Sequence, residues 1–195
     1  MSENPTSQTL IMKLQLQGDD KAWERFSREY RPYIYTILKK YEISHEDRED
    51  ILQEIQVRIW RALPNFIYKS ERCRFRTWLS RVCRNTSLNF LDSKNQRNKK
   101  LHVEVEDFDR AESPVTDLLE EEEWQYFIAK KAWENIQNLF SEKQREVYLK
   151  VSQGKHQKEV AEEMGMEMNT AYVYAKKVKD IYIREIRRLN AELDG

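Results

Sequence analysis

Four glycines and four prolines punctuate 195 residues. A sheet-rich chain of this length reverses direction far more often, and most reversals need a residue that tolerates positive φ or fixes φ in advance. The shortage points to long helices with few connections, so the expected fold is all-α.

Apolar residues recur at helical spacing where that reading requires them. Trp23, Phe26, Tyr30, Ile34 and Leu38 mark a first helix over Asp19–Tyr41, with Pro32 expected to bend or split it. Ser44 and Asp47 resemble a capping box ahead of a second helix, from about His45 to Ala62, whose apolar side is Ile51, Ile55 and Ile59. A third helix is expected from about Arg74 to Ser93, with Phe75, Leu79, Val82 and Thr86 on one face. Trp124, Phe127, Ile128, Ala132 and Ile136 announce another. Ser141 and Gln144 make a capping box for the next, which Gly154 ends. Val160, Ala161 and Met164, a turn at Gly165, then Ala171, Val173, Val178 and Ile181 on a helix from about Asn169 give the layout of a helix-turn-helix. An ordinary pair of antiparallel helices writes similar text.

Between these blocks the periodicity lapses. Residues 71–100 hold nine Lys/Arg against two Asp/Glu, whereas residues 101–123 hold one against ten. The formal net charge of zero hides this segregation. The expected organisation is two helical domains, 10–95 and 118–192, joined by a flexible acidic linker over 96–117.

Little in the chain suggests an enzyme. There is no Gly-rich phosphate loop and no serine–histidine set. Cys73 and Cys83 read as reduced thiols, and the acids Glu104, Glu106, Asp107 and Asp109 lack the further ligands a metal would need. No metal or cofactor is expected. The start, MSENPTSQTL, has neither the basic nor the apolar part of a signal peptide, and no apolar run approaches a membrane span. The expectation is a cytoplasmic protein without a membrane partner.

Two constellations invite a functional reading. In RCRFRTWLSRVCRN, Arg74, Arg81, Arg84 and Asn85 surround Trp78. Cations that follow phosphates, an aromatic face for an unpaired base and an amide for a base edge suit single-stranded nucleic acid. A solvated basic helix with a core tryptophan fits the same text. Asp47, Asp50 and Glu54, with Gln53 beside them, form an acidic stripe. It is either a docking face or a solvated one.

Taken in order, EDREDILQEIQVRIWRALPNF, RFRTWLSRVCRN and SEKQREVYLKVSQGKHQKEVAEEMGMEMNTAYVYAKKVK resemble a bacterial RNA polymerase sigma factor. The resemblance is to the two-domain extracytoplasmic-function (ECF) group of the sigma-70 family. It implies that Asp47, Asp50, Gln53 and Glu54 dock on core RNA polymerase. It implies that the loop from Phe66 to Arg74 and the helix bearing Trp78, Arg81, Arg84 and Asn85 open promoter DNA at the −10 element. The −35 element would be read by Asn169, Thr170, Tyr172, Tyr174, Lys176 and Lys177. The implied partners are core polymerase and promoter DNA, with room for an anti-sigma protein.

Overall fold

The computed structural model describes residues 7–16, 19–66, 75–97 and 114–193. Among them are eight α-helices: α1 (Ser7–Gln15), α2 (Asp20–Lys40), α3 (Arg48–Ala62), α4 (Phe75–Arg97), α5 (Pro114–Ile136), α6 (Glu142–Ser152), α7 (Gln157–Glu163) and α8 (Met168–Leu193). Short 3-10 turns follow α3 (Leu63–Asn65) and α5 (Gln137–Leu139). No strand occurs among the described residues. The chain forms two compact units, Met1–Phe127 with Glu192–Gly195, and Ile128–Ala191. The division falls within α5 rather than at the edge of the acidic stretch. Most of that stretch, residues 98–113, lies outside the described residues, and α5 begins at Pro114, inside the expected linker.

The first unit is built on α2. Asp19 caps it by accepting the Ala22 N–H at 3.0 Å. Its inward face buries Ala22, Phe26, Tyr30, Tyr33, Ile34, Ile37 and Leu38. Pro32 neither splits nor ends the helix, which continues to Lys40. Pro32 is exposed, so water can satisfy the Arg28 carbonyl that proline leaves without a donor. Helix α1 was not expected. Its Leu10, Ile11 and Leu14 are all buried, but a pattern of barely one turn is too short to stand out.

Helix α3 starts at Arg48, after a turn through His45–Asp47. The Ser44 hydroxyl accepts the Asp47 N–H at 3.3 Å, and the Asp47 carboxylate bonds back to that hydroxyl instead of to a main-chain amide. The capping signal is present, but it ties a turn that precedes the helix. Ile51, Leu52, Ile55 and Ile59 are buried. On α4, Phe75, Leu79, Val82, Cys83 and Thr86 face the core. Thr86 and Ser87 are buried too, and their hydroxyls donate to the carbonyls of Val82 (2.7 Å) and Cys83 (2.9 Å). Cys83 is fully buried; Cys73 lies outside the described residues. The first part of α5 completes this unit. Trp124 is buried edge-on to Tyr33 at 5.1 Å, Glu121 pairs with Arg76 at 2.6 Å, and Glu123 pairs with Lys40.

In the second unit, Ser141 and Gln144 form the expected capping box, with reciprocal bonds of 3.3 and 3.1 Å. Two glycines make its turns. Gly154 (φ +95°) ends α6, and Lys155 N–H returns to the Lys150 carbonyl at 3.2 Å. Gly165 (φ +60°) ends α7, and Met166 N–H returns to Ala161 at 3.0 Å. Both are helix stops that a side chain with a Cβ disfavours. Val147, Val160, Ala161, Ala171 and Ala175 share one core, and Ile136, Phe140 and Val178 another. Val173, expected to join them, is exposed. Ala171, Ala175 and Val178 already take the inward positions of α8, and residue 173 falls on the opposite side of the turn.

Candidate nucleic-acid and docking interfaces

The acidic stripe is narrower than the sequence suggests. Asp47 is half-buried and pairs with Lys94 of α4 at 2.7 Å. The hydrogen bond from Lys94, then that with Ser44, holds its carboxyl below the usual carboxylate range. Glu49 bonds Tyr35, whose hydroxyl holds its carboxyl down, and Arg31 at 2.5 Å. Asp50, Gln53 and Glu54 remain outward. Val57, which sequence reasoning missed, joins them at helical spacing and is 46% exposed. Glu54 is held along the helix by Arg58 at 2.7 Å. The result is an exposed face of two carboxylates, an amide and an apolar side chain on a helix whose other side is core.

On α4, the arginines divide. Arg76 turns to α5, where it pairs with Glu121 and lies over the Trp124 ring at 5.7 Å. Trp78, Arg81 and Asn85 occupy one stripe, at i, i+3 and i+7, with Arg84 alongside; all four are half-buried. The Arg84 Nε donates to the Asn85 side-chain carbonyl in a long contact of 3.5 Å. Trp78 is not free-standing. Its ring lies 5.0 Å from Phe66 and 5.5 Å from Phe75. Phe75 is buried and makes edge contacts with Tyr30 (5.5 Å), Phe26 (6.0 Å) and Phe66 (5.8 Å). A partly exposed indole is thus mounted on a rigid aromatic stack, which suits a platform for an unpaired base. Arg74 and the rest of the loop after Phe66 lie outside the described residues.

On α8, Asn169, Tyr172, Val173 and Lys176 form an exposed stripe, with Lys177 exposed beside it. The Lys176 ammonium sits 5.9 Å from the centre of the Tyr172 ring. Thr170 is half-buried. Tyr174 is half-buried as well, packed against the Val147 cluster. Among the described residues, no His/Cys/Asp/Glu group could hold a metal, and no helix is long and apolar enough to cross a membrane.

Residues 26–97 match the sigma-70 region 2 family. That stretch contains both α3 and α4, hence the acidic face and the Trp78 platform. Over 179 residues the chain is 26% identical to the ECF RNA polymerase sigma-E factor of Haemophilus influenzae, covering 87% of this chain and 89% of the relative. This chain belongs to the ECF group of the sigma-70 family. The sigma-E factor of Escherichia coli is 31% identical over 113 residues, which span 58% of this sigma factor and about half, 56%, of that relative. A solved structure of an engineered region 2 of sigmaE in complex with GTAAAA is 32% identical; the match covers 51% of this chain and all of that one, with a TM-score of 0.44. As a member of the family, the protein is a promoter-directing factor of transcription initiation.

An ion-pair cluster ties α7 to the end of α6 and the turn after it. Glu163 of α7 bonds Lys150 at 2.8 Å and Lys155 at 2.5 Å. Lys150 first, then Lys155, pushes the Glu163 carboxyl down from 4.5 to about 2. Its pKa is depressed on folding, so its contribution is present above about pH 4.5 and lost as pH falls towards about 2. Glu163→Gln should therefore melt lower than the parent at pH 6. By pH 2 the two melting temperatures should converge. A gap that persists at pH 2 would assign the difference to packing rather than to charge.

Proposed function

We infer that the first unit brings this sigma factor to core RNA polymerase and captures an opened promoter strand, while the helix-turn-helix holds upstream DNA. Docking is through Asp50, Gln53 and Glu54, with Asp47 at the margin. Capture is through Trp78, Arg81, Arg84 and Asn85, joined by Arg74. Upstream contact is through Asn169, Thr170, Tyr172, Lys176 and Lys177, with the half-buried Tyr174 at the margin. Docking and capture fall to the unit that ends at Phe127 and upstream contact to the unit Ile128–Ala191, which moves the boundary into α5 from the 96–117 stretch that the sequence suggests. No catalytic residue is required, and the chain acts in the cytoplasm. A ligand shifts an equilibrium only by its differential affinity, so a site that holds the open strand better than the duplex is sufficient to favour opening.

The observation that carries this reading is the Trp78 platform, with Arg81 and Asn85 on the same stripe of α4. Stacking is worth about 1–3 kcal/mol per base, and a good base-edge contact about as much. Trp78→Ala and Asn85→Ala should each reduce open-complex formation on a duplex promoter about tenfold or more. Permanganate reactivity of unpaired thymines, with purified core polymerase, measures this. Both variants should still bind the polymerase. A promoter supplied already melted should rescue Trp78→Ala more than Asn85→Ala if the indole wedges and the amide reads. Normal opening by both variants would refute the assignment. For direct strand binding, a fluorescent oligonucleotide containing GTAAAA, the sequence bound by the engineered sigmaE region 2, is the first probe.

A further inference from the structure

Gln15, the last residue of α1, reaches across 48 and 51 positions of sequence. Its Nε2 donates to the Leu63 carbonyl at 3.3 Å and to the Phe66 carbonyl at 2.5 Å. A side-chain amide has two N–H bonds to give, one for each carbonyl. The Leu63 oxygen also accepts the Phe66 N–H at 3.0 Å, so Gln15 clamps both ends of the 3-10 turn that leaves α3. That turn needs an outside donor, because the last carbonyls of a helix have no partner within it. Leu63 and Phe66 are themselves buried, at 1% and 8% exposure.

What the clamp fixes is the Phe66 ring. That ring lies against Trp78 and Phe75 at 5.0 and 5.8 Å. The other end of the linkage is equally firm, since Leu10, Ile11 and Leu14 seat α1 at 3%, 3% and 2% exposure. A continuous path therefore runs from the core-anchored α1, through the Gln15 amide and the Phe66 main chain, to the face of the Trp78 indole.

We propose that Gln15 is a positioning residue for strand capture, holding Phe66 so that the Trp78 ring keeps the pose in which it receives a base. The proposal rests on the reading of Trp78 as the base platform. It differs in predicting function for a residue of α1, outside α4. A base stacks over a short range, so a small displacement of the platform is expensive in affinity.

The test uses the full chain and the GTAAAA oligonucleotide. Gln15→Met keeps the length and loses the donor. Gln15→Lys restores a donor of similar reach. Gln15→Met should bind the strand about five- to tenfold more weakly than the parent, and Gln15→Lys within about twofold of it. Both should bind core polymerase normally, because Asp50, Gln53 and Glu54 are untouched. In a Trp78→Ala background, Gln15→Met should have no further effect on strand binding, the signature of two residues acting as one. Three results would overturn the proposal: parental strand binding by Gln15→Met, an equal loss in both backgrounds, or a matched loss of strand and polymerase binding, which marks a merely structural role. If Trp78→Ala itself binds the strand normally, the base-platform reading falls and takes this inference with it. If Trp78→Ala is weakened and Gln15→Met is not, this inference falls alone.

Discussion

The double variant Asp50→Lys/Glu54→Lys should lose core polymerase binding by about 100-fold or more while remaining fully helical. Both side chains are exposed on α3, and reversal turns each attraction to a basic partner into a repulsion. Like charges set against each other across an interface cost several kcal/mol, which supports a loss of this size. The effect on folding should be small by comparison. Asp50 sits in the first turn of α3, where a negative charge contributes about 0.3–1 kcal/mol against the helix dipole. Glu54 gives up an i,i+4 pair with Arg58 worth about 0.2–0.5 kcal/mol. Binding measured by gel shift of core polymerase, beside thermal melts, separates the two effects. Asp47→Lys should do less to polymerase binding, because that carboxylate is already engaged by Lys94. Undiminished binding by the double variant would remove the docking face from α3.

Phe75→Ala should cost about 3–5 kcal/mol of stability, as expected for truncating a fully buried aromatic ring. Phe75 is 0% exposed and touches four aromatic rings, those of Phe26, Tyr30, Phe66 and Trp78. A whole domain has about 5–15 kcal/mol to lose, so the first unit should become marginal. Its strand-binding and polymerase-binding activities should fail together on warming. Urea melts followed by near-ultraviolet circular dichroism would measure this. Tyr172→Ala, on an exposed position of α8, should change stability by no more than about 0.5 kcal/mol and serves as the control. A Phe75→Ala protein of parental stability would mean that the ring stack is not the foundation of the Trp78 platform.

Local signals were legible in the sequence where one stretch of chain decides the outcome. The apolar period of α2, the Ser141–Gln144 box and the glycine stops at 154 and 165 depend on residues a few positions apart, and each is where it was expected. That Pro32 does not split α2 was not legible, because its effect depends on which side of the helix it occupies, and that is set by what packs against α2. Val173 is apolar but out of phase with Ala171, Ala175 and Val178. A tighter count of the period would have shown it. Asp47 and Tyr174 have packing partners that the sequence does not show, for a different reason. The partner of Asp47 is 47 residues away on α4, and Tyr174 packs against residues of α6 and α7. The Gln15 clamp is longer-range still. Nothing in the chain near position 15 or position 66 reveals it.

The anchoring of α5 bears on how the chain tolerates change. Glu121, Glu123 and Trp124 fasten the start of that helix to the same unit that α4 belongs to. A fragment of the first unit cut ahead of Pro114 would therefore lose a buried tryptophan and two ion pairs, so the piece to express alone runs through Phe127.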